Sequence, residues 1–106
     1  MSALQQPRSM SALRTPNLIC YEDVLKANAA RMRSRAERLG CALRPHFKTV
    51  KTLGAATIAT GGTKRKLTVS TLAEAFFLEA GGFDDIVYAV PLTPDKIDDV
   101  EELSCR

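Results

Sequence analysis

The sequence predicts an α/β protein in which one helix is followed by three strand–helix units, with parallel strands covered by the helices. Three observations point there. Apolar residues alternate between helical spacing and short strand-like runs, Gly40, Gly61-Gly62 and Gly81-Gly82 punctuate them, and the strand–helix units repeat at short intervals. Alternation with short connections means parallel strands. Three such strands finish no familiar architecture, and an eight-unit barrel takes about 250 residues. The 106-residue chain is therefore expected to be the truncated opening of something larger.

Residues 1–14 contain no acid and no long apolar run, and are expected to form a disordered tail ahead of a domain over 15–106. "MSAL" occurs at 1–4 and again at 10–13, so Met10 is a second candidate start. A transit peptide would carry more arginine than Arg8 and Arg14.

From Tyr21 to Leu39 the residues Leu25, Ala29, Met32, Ala36 and Leu39 fall four and three apart, one stripe of an amphipathic helix. Glu22 and Asp23 suit its positive end, and Gly40 is a natural stop. "CALRPHFK" (41–48) is the first expected strand and "TLGAATIAT" (52–60) a short helix. "KLTVS" (66–70) is the second strand, with Leu67 and Val69 on one side and Thr68 and Ser70 on the other. Thr71 and Glu74 form a capping-box pattern opening the helix "LAEAFFLEA". "DIVYAV" (85–90) is the third strand, and Thr93-Pro94 opens a last helix through about Leu103.

Apolar residues are 45% and charged residues 25%, as in a soluble globular domain. No apolar run approaches the roughly 18 residues of a membrane span. All of the basic residues except Lys96 and Arg106 lie in 1–66, which hold only Glu22, Asp23 and Glu37 as acids. Such asymmetry can mark a nucleic-acid surface, but aromatic platforms and a binding motif are lacking. Two solvated faces of opposite sign explain it better. "GGTKRK" (61–66) follows a helix and precedes a strand, the reverse of a phosphate-binding loop, and is read as a helix cap and basic turn. Cys20, Cys41 and Cys105 are odd in number and far apart, and with one histidine they are too few for a zinc site. Free thiols, a cytoplasmic location and no metal within this chain are expected.

The segment "ALRPHFKTVK" places Arg44, His46, Lys48 and Lys51 close together. If it is extended, Leu43 and Phe47 point one way and Arg44, His46 and Lys48 the other. A doubly covered parallel strand would read as continuous apolar residues, and Pro45 is out of place in a central strand. Such local exceptions mark functional sites. Lys48 falls at the carboxyl end of the strand, where α/β proteins bind ligands. Like charge from Arg44, His46 and Lys51 would favour the neutral amine needed for attack on a carbonyl.

"TPNLICYEDVLKANAARMRSRAERLGCALRPHFKTVKT" with "TVSTLAEAFFLEAGGFDDIVYAV" resembles the amino-terminal domain of alanine-racemase-like, fold type III pyridoxal-phosphate enzymes, nearest the D-threonine aldolase and D-serine dehydratase branch. The resemblance runs from about Thr15 to Leu103. It implies the opening (β/α) units of a TIM-type barrel with an extra amino-terminal helix. It also implies pyridoxal 5'-phosphate held as a Schiff base on Lys48, in the R-P-H-x-K-T segment, with Arg44, His46, Thr49 and Ser70 around the cofactor. Ser70 is equally readable as a helix cap, and Tyr88 as a core residue. The implied function is that of a lyase or aldolase acting on D- or β-hydroxy-amino acids, with a homodimer in the complete protein and neither nucleic acid nor membrane as partner. The alternative is a non-catalytic pyridoxal-phosphate-binding protein of the homeostasis type. One departure is Thr49-Val50-Lys51, where the branch often has T-H-K. The cofactor-phosphate site, the carboxy-terminal domain and any divalent-metal ligands are expected only in a longer chain.

Overall fold

The computed structural model describes residues 9–106. Most of the tail expected over 1–14 lies outside them; within the remainder, Met10–Ala12 make one 3-10 turn with no buried residue. Helix α1 (Glu22–Arg38) carries Glu22 and Asp23 in its first turn. It ends in a Schellman arrangement: Gly40 takes φ +68°, and the Cys41 N–H donates to Ala36 O at 3.1 Å. Only a residue without Cβ adopts that φ without strain.

The inward stripe of α1 differs from the expected one. Leu25, Ala29 and Ala36 face the neighbouring elements, but Met32 and Leu39 are largely exposed. Arg33 takes the intervening position, its Nη1 donating to Ile58 O at 2.9 Å. The reason is the partner: α2 (Leu53–Ala59) is two turns long and presents, at its end, the Ile58 carbonyl, which has a second lone pair that an arginine can serve and a methionine cannot. Thr52 caps the start of α2, its Oγ1 accepting from the Ala55 N–H at 3.2 Å.

Strand β1 (Arg65–Val69) pairs in parallel with β2 (Asp84–Tyr88), Leu67 opposite Ile86 and Val69 opposite Tyr88. Helix α3 (Leu72–Ala80) connects them, and α4 (Ile97–Ser104) follows β2. The last helix opens through a 3-10 turn at Pro94–Lys96 rather than directly at Pro94. Phe47, Ala56, Leu67, Val69, Ala75, Leu78 and Phe83 form the core on the helix side of the sheet, with Leu53, Ile86, Tyr88 and Leu103 packed against it. Tyr88 is thus a core residue and not one aimed at a ligand.

The first expected strand is reduced to a single parallel bridge, His46 with Thr68. The Thr68 N–H donates to Pro45 O and the Phe47 N–H donates to Thr68 O, each at 2.9 Å. Extending the ladder backwards would need an N–H from Pro45, which has none. Extending it forwards would need the Ser70 N–H, which donates instead to Glu74 Oε2 at 3.0 Å. The alternation nevertheless survives: Phe47 is buried with Leu67 and Val69, while His46 shares the other face with Thr68 and Thr68's partner Val87. No helix among the described residues is long and apolar enough to cross a membrane.

Candidate functional site

The open face of the sheet carries three rows, fixed by the register. His46, Thr68 and Val87 form the middle row. Two residues earlier stand Arg44, Lys66 and Asp85. Two residues later stand Ser70 and Ala89, just past the carboxyl ends of β1 and β2, and Lys48, on the turn that follows the bridge.

The lower row is tied by one guanidinium. Arg44 Nη2 donates to Asp85 Oδ1 at 2.6 Å, and Nη1 donates to Asp85 O and to Leu67 O. Lys66 and Asp85 both hold positive φ, 63° and 55°, so the paired strands kink together and Arg44 serves the carbonyls beside the kink. The Arg44 hydrogen bond, with the charges of Arg44, Arg65 and Lys66 behind it, holds the Asp85 carboxyl below its ordinary range against partial burial.

In the upper row His46 joins two elements. Its Nδ1 accepts from the Lys48 N–H at 3.1 Å, and its Nε2 lies 3.0 Å from Ser70 Oγ. Because Nδ1 accepts, the neutral ring carries its proton on Nε2, which donates to Ser70. Glu74 is buried below. Burial alone would raise its carboxyl, but the Ser70 N–H, the Lys51 ammonium at 3.0 Å and the Thr71 N–H outweigh it and lower the value. Glu74 also completes the expected capping box, its own N–H donating to Thr71 Oγ1 at 3.1 Å.

Lys48 is exposed, and its Nζ has no hydrogen-bond or ion-pair partner among the described residues. Thr49, next to it, lines a cavity of about 270 Å³ with Leu25, His46, Phe47, Lys51 and Ala56. His46 and Ser70 therefore come together, the Lys48 N–H is bonded to the same ring, and Thr49 shares its cavity with His46 and Lys51. The expected crowding of like charge around Lys48 is not found. Arg44 is neutralised by Asp85 and Lys51 by Glu74, because each cation sits within reach of an acid from a later element. Asp85 and the second role of Glu74 escaped sequence reasoning. A capping box announces one carboxylate oxygen, and nothing local announces a partner far along the chain.

Two parallel strands covered by helices, with Lys48 on the turn after the His46 bridge, make this a mixed helix–strand unit of the kind found in alanine-racemase-like proteins. Comparison with known proteins gives the relatives in particular. No family model matches the chain. It is 36% identical over 98 residues to D-threo-3-hydroxyaspartate dehydratase of Delftia sp., covering 92% of this chain and 26% of that protein. It is 36% identical over 96 residues to D-serine dehydratase of Dictyostelium discoideum, covering 86% of this chain and 24% of that one. The solved Delftia enzyme superposes with a TM-score of 0.82 at 37% identity, over 90% of this chain and 25% of that one. An alanine-racemase-like protein of Idiomarina loihiensis gives 0.72 at 43% identity, over 76% of this chain and 22% of that one. The chain is a homologue of these dehydratases, consistent with the fold type III pyridoxal-phosphate enzymes, and spans about a quarter of the length of the curated relatives it matches.

A pyridoxal-phosphate group requires an amine free to meet its aldehyde. Lys48 Nζ, exposed and unpartnered beside a hydrogen-bonded His46–Ser70 pair, fits that requirement.

Proposed function

We propose that this chain is the part of a pyridoxal-phosphate-dependent dehydratase that carries the cofactor lysine, acting on D-amino acids with a β-hydroxyl group. The observation that carries the reading is the Lys48 amine, unpartnered on the turn after the His46 bridge in a chain homologous to two such dehydratases. Lys48 would hold the cofactor through its side-chain amine, and that amine, when free, would be the base available for the Cα proton. The cofactor, when bound, supplies the electron sink for negative charge at Cα. Loss of the Cα proton and of the β-hydroxyl as water would leave an enamine, whose imine tautomer takes up one water in solution to give the keto acid and ammonia.

His46 and Ser70 set the geometry beside Lys48, and Arg44 holds the sheet beneath it by bonding to β2 rather than by lending charge. Thr49 flanks the amine on the turn. Among the described residues no group of three or more His, Cys, Asp and Glu is placed to hold a metal. A divalent metal would belong to the rest of a longer chain; a variant of the Delftia enzyme has been solved in a metal-free form.

The test is keto-acid release by the complete protein loaded with pyridoxal phosphate, offered D-serine, D-threo-3-hydroxyaspartate and their L-enantiomers. Turnover of the D-substrates supports the reading. Cofactor binding without turnover of any hydroxy-amino acid would replace it with a cofactor-binding protein.

A further inference from the structure

The hydrogen bonds around Lys48 form a circuit that starts and ends on its own turn. The Lys48 N–H donates to His46 Nδ1. The His46 ring meets Ser70 Oγ, the Ser70 N–H donates to Glu74 Oε2, and Glu74 Oε1 takes the Lys51 ammonium. The turn from Phe47 to Lys51 is thus held at two points three residues apart, both anchored through Ser70 at the start of α3. The side chain of Lys48, at the first of these anchors, is exposed and has no hydrogen-bond or ion-pair partner among the described residues.

We propose that His46 and Ser70 are positioning residues for Lys48, with Glu74 and Lys51 closing the same clamp. Their work is to fix the backbone of the turn so that the amine stands ready over the open face. This rests on the reading that Lys48 holds the cofactor. The chemistry of the ring supports the assignment. A histidine that accepts at Nδ1 and donates at Nε2 has both nitrogens committed, so it is a brace and not a free proton carrier. Lys51 is likewise engaged, which separates its role from that of Lys48. A rigid first contact is what covalent attachment needs, since a lysine on a loose turn samples many directions.

The experiment uses the complete protein freed of cofactor. Pyridoxal phosphate is added, aliquots are reduced with borohydride over time, and the adduct on Lys48 is quantified by peptide mass, with thermal midpoints measured in parallel. His46→Leu and Ser70→Ala are each expected to slow attachment about tenfold, the effect of one lost hydrogen bond, while the proteins stay folded. His46→Asn, which returns an acceptor near the place of Nδ1, is expected to lie within about threefold of the parent. The double variant is expected to be no slower than either single one, because both break one circuit. Parent-like attachment in His46→Leu, or an Asn variant as slow as the Leu variant, would overturn the proposal. If His46→Leu does not fold, Ser70→Ala decides in the same way. Failure of the parent to label Lys48 at all overturns the cofactor reading itself, and is thereby told apart from failure of the clamp.

Discussion

Arg44 and Asp85 meet across β1, Nη2 to Oδ1 at 2.6 Å, although 41 positions separate them in the chain. The same guanidinium also reaches Asp85 O and Leu67 O, so it holds three acceptors on two strands. A planar fork does this and a point charge does not. Arg44→Ala and Arg44→Lys are therefore both expected to lower the thermal midpoint of the complete protein by a few degrees, lysine recovering little. A lysine variant as stable as the parent would reduce the contact to simple charge pairing.

Glu74 gives a pH dependence with a definite sign. Its carboxyl lies below its ordinary value of 4.5 in the folded chain, so the unfolded chain binds the proton first as pH falls. The stability it contributes is fully present above that value and is lost as pH drops through the folded one. Asp85, also lowered, adds to the same acid limb from an ordinary value of 3.8. Glu74→Gln is expected to flatten the decline in unfolding midpoint below about pH 4.5, as read from thermal melts across the acid range.

Leu78 has no exposed surface and sits in the cluster with Phe47, Val69 and Phe83. Leu78→Ala is expected to cost about 2–5 kcal/mol through lost burial and the cavity left behind, measured by urea unfolding.

These elements show what could be read in advance. Helix α1 with its Gly40 stop, the Thr71–Glu74 cap and the Leu67/Val69 face were legible because each depends on residues close together in sequence. The stripe of α1 was misread at Met32 because the neighbouring Arg33 turns inward to a carbonyl at the end of α2, which no periodicity reveals. The first strand was overextended because alternation persists where the ladder does not; Pro45 was noticed, but its missing N–H proved to limit pairing to one bridge. At the site, the approach of His46 to Ser70 was legible from their shared strand face. The neutralisation of Arg44 and Lys51 was not, since both acids come from later elements.

Taken alone, the 106-residue chain is expected to self-associate. β2 is paired on one side only among the described residues, and Val87, Val90, Leu92 and Ile97 are 40–51% exposed around it. Light scattering after size exclusion is expected to show oligomers or aggregate, and a monodisperse, cooperatively unfolding monomer would contradict this.

The central claim is that Lys48, and no neighbouring lysine, carries the cofactor. Borohydride reduction of the complete protein with pyridoxal phosphate, followed by peptide mapping, tests it most directly. The account predicts the adduct on Lys48, its loss in Lys48→Ala, and its retention at a reduced rate in Lys51→Ala, where Glu74 loses its cation. An adduct on Lys51, or on Lys64 or Lys66 in the turn before and at the start of β1, would contradict it and leave the cluster as a basic surface.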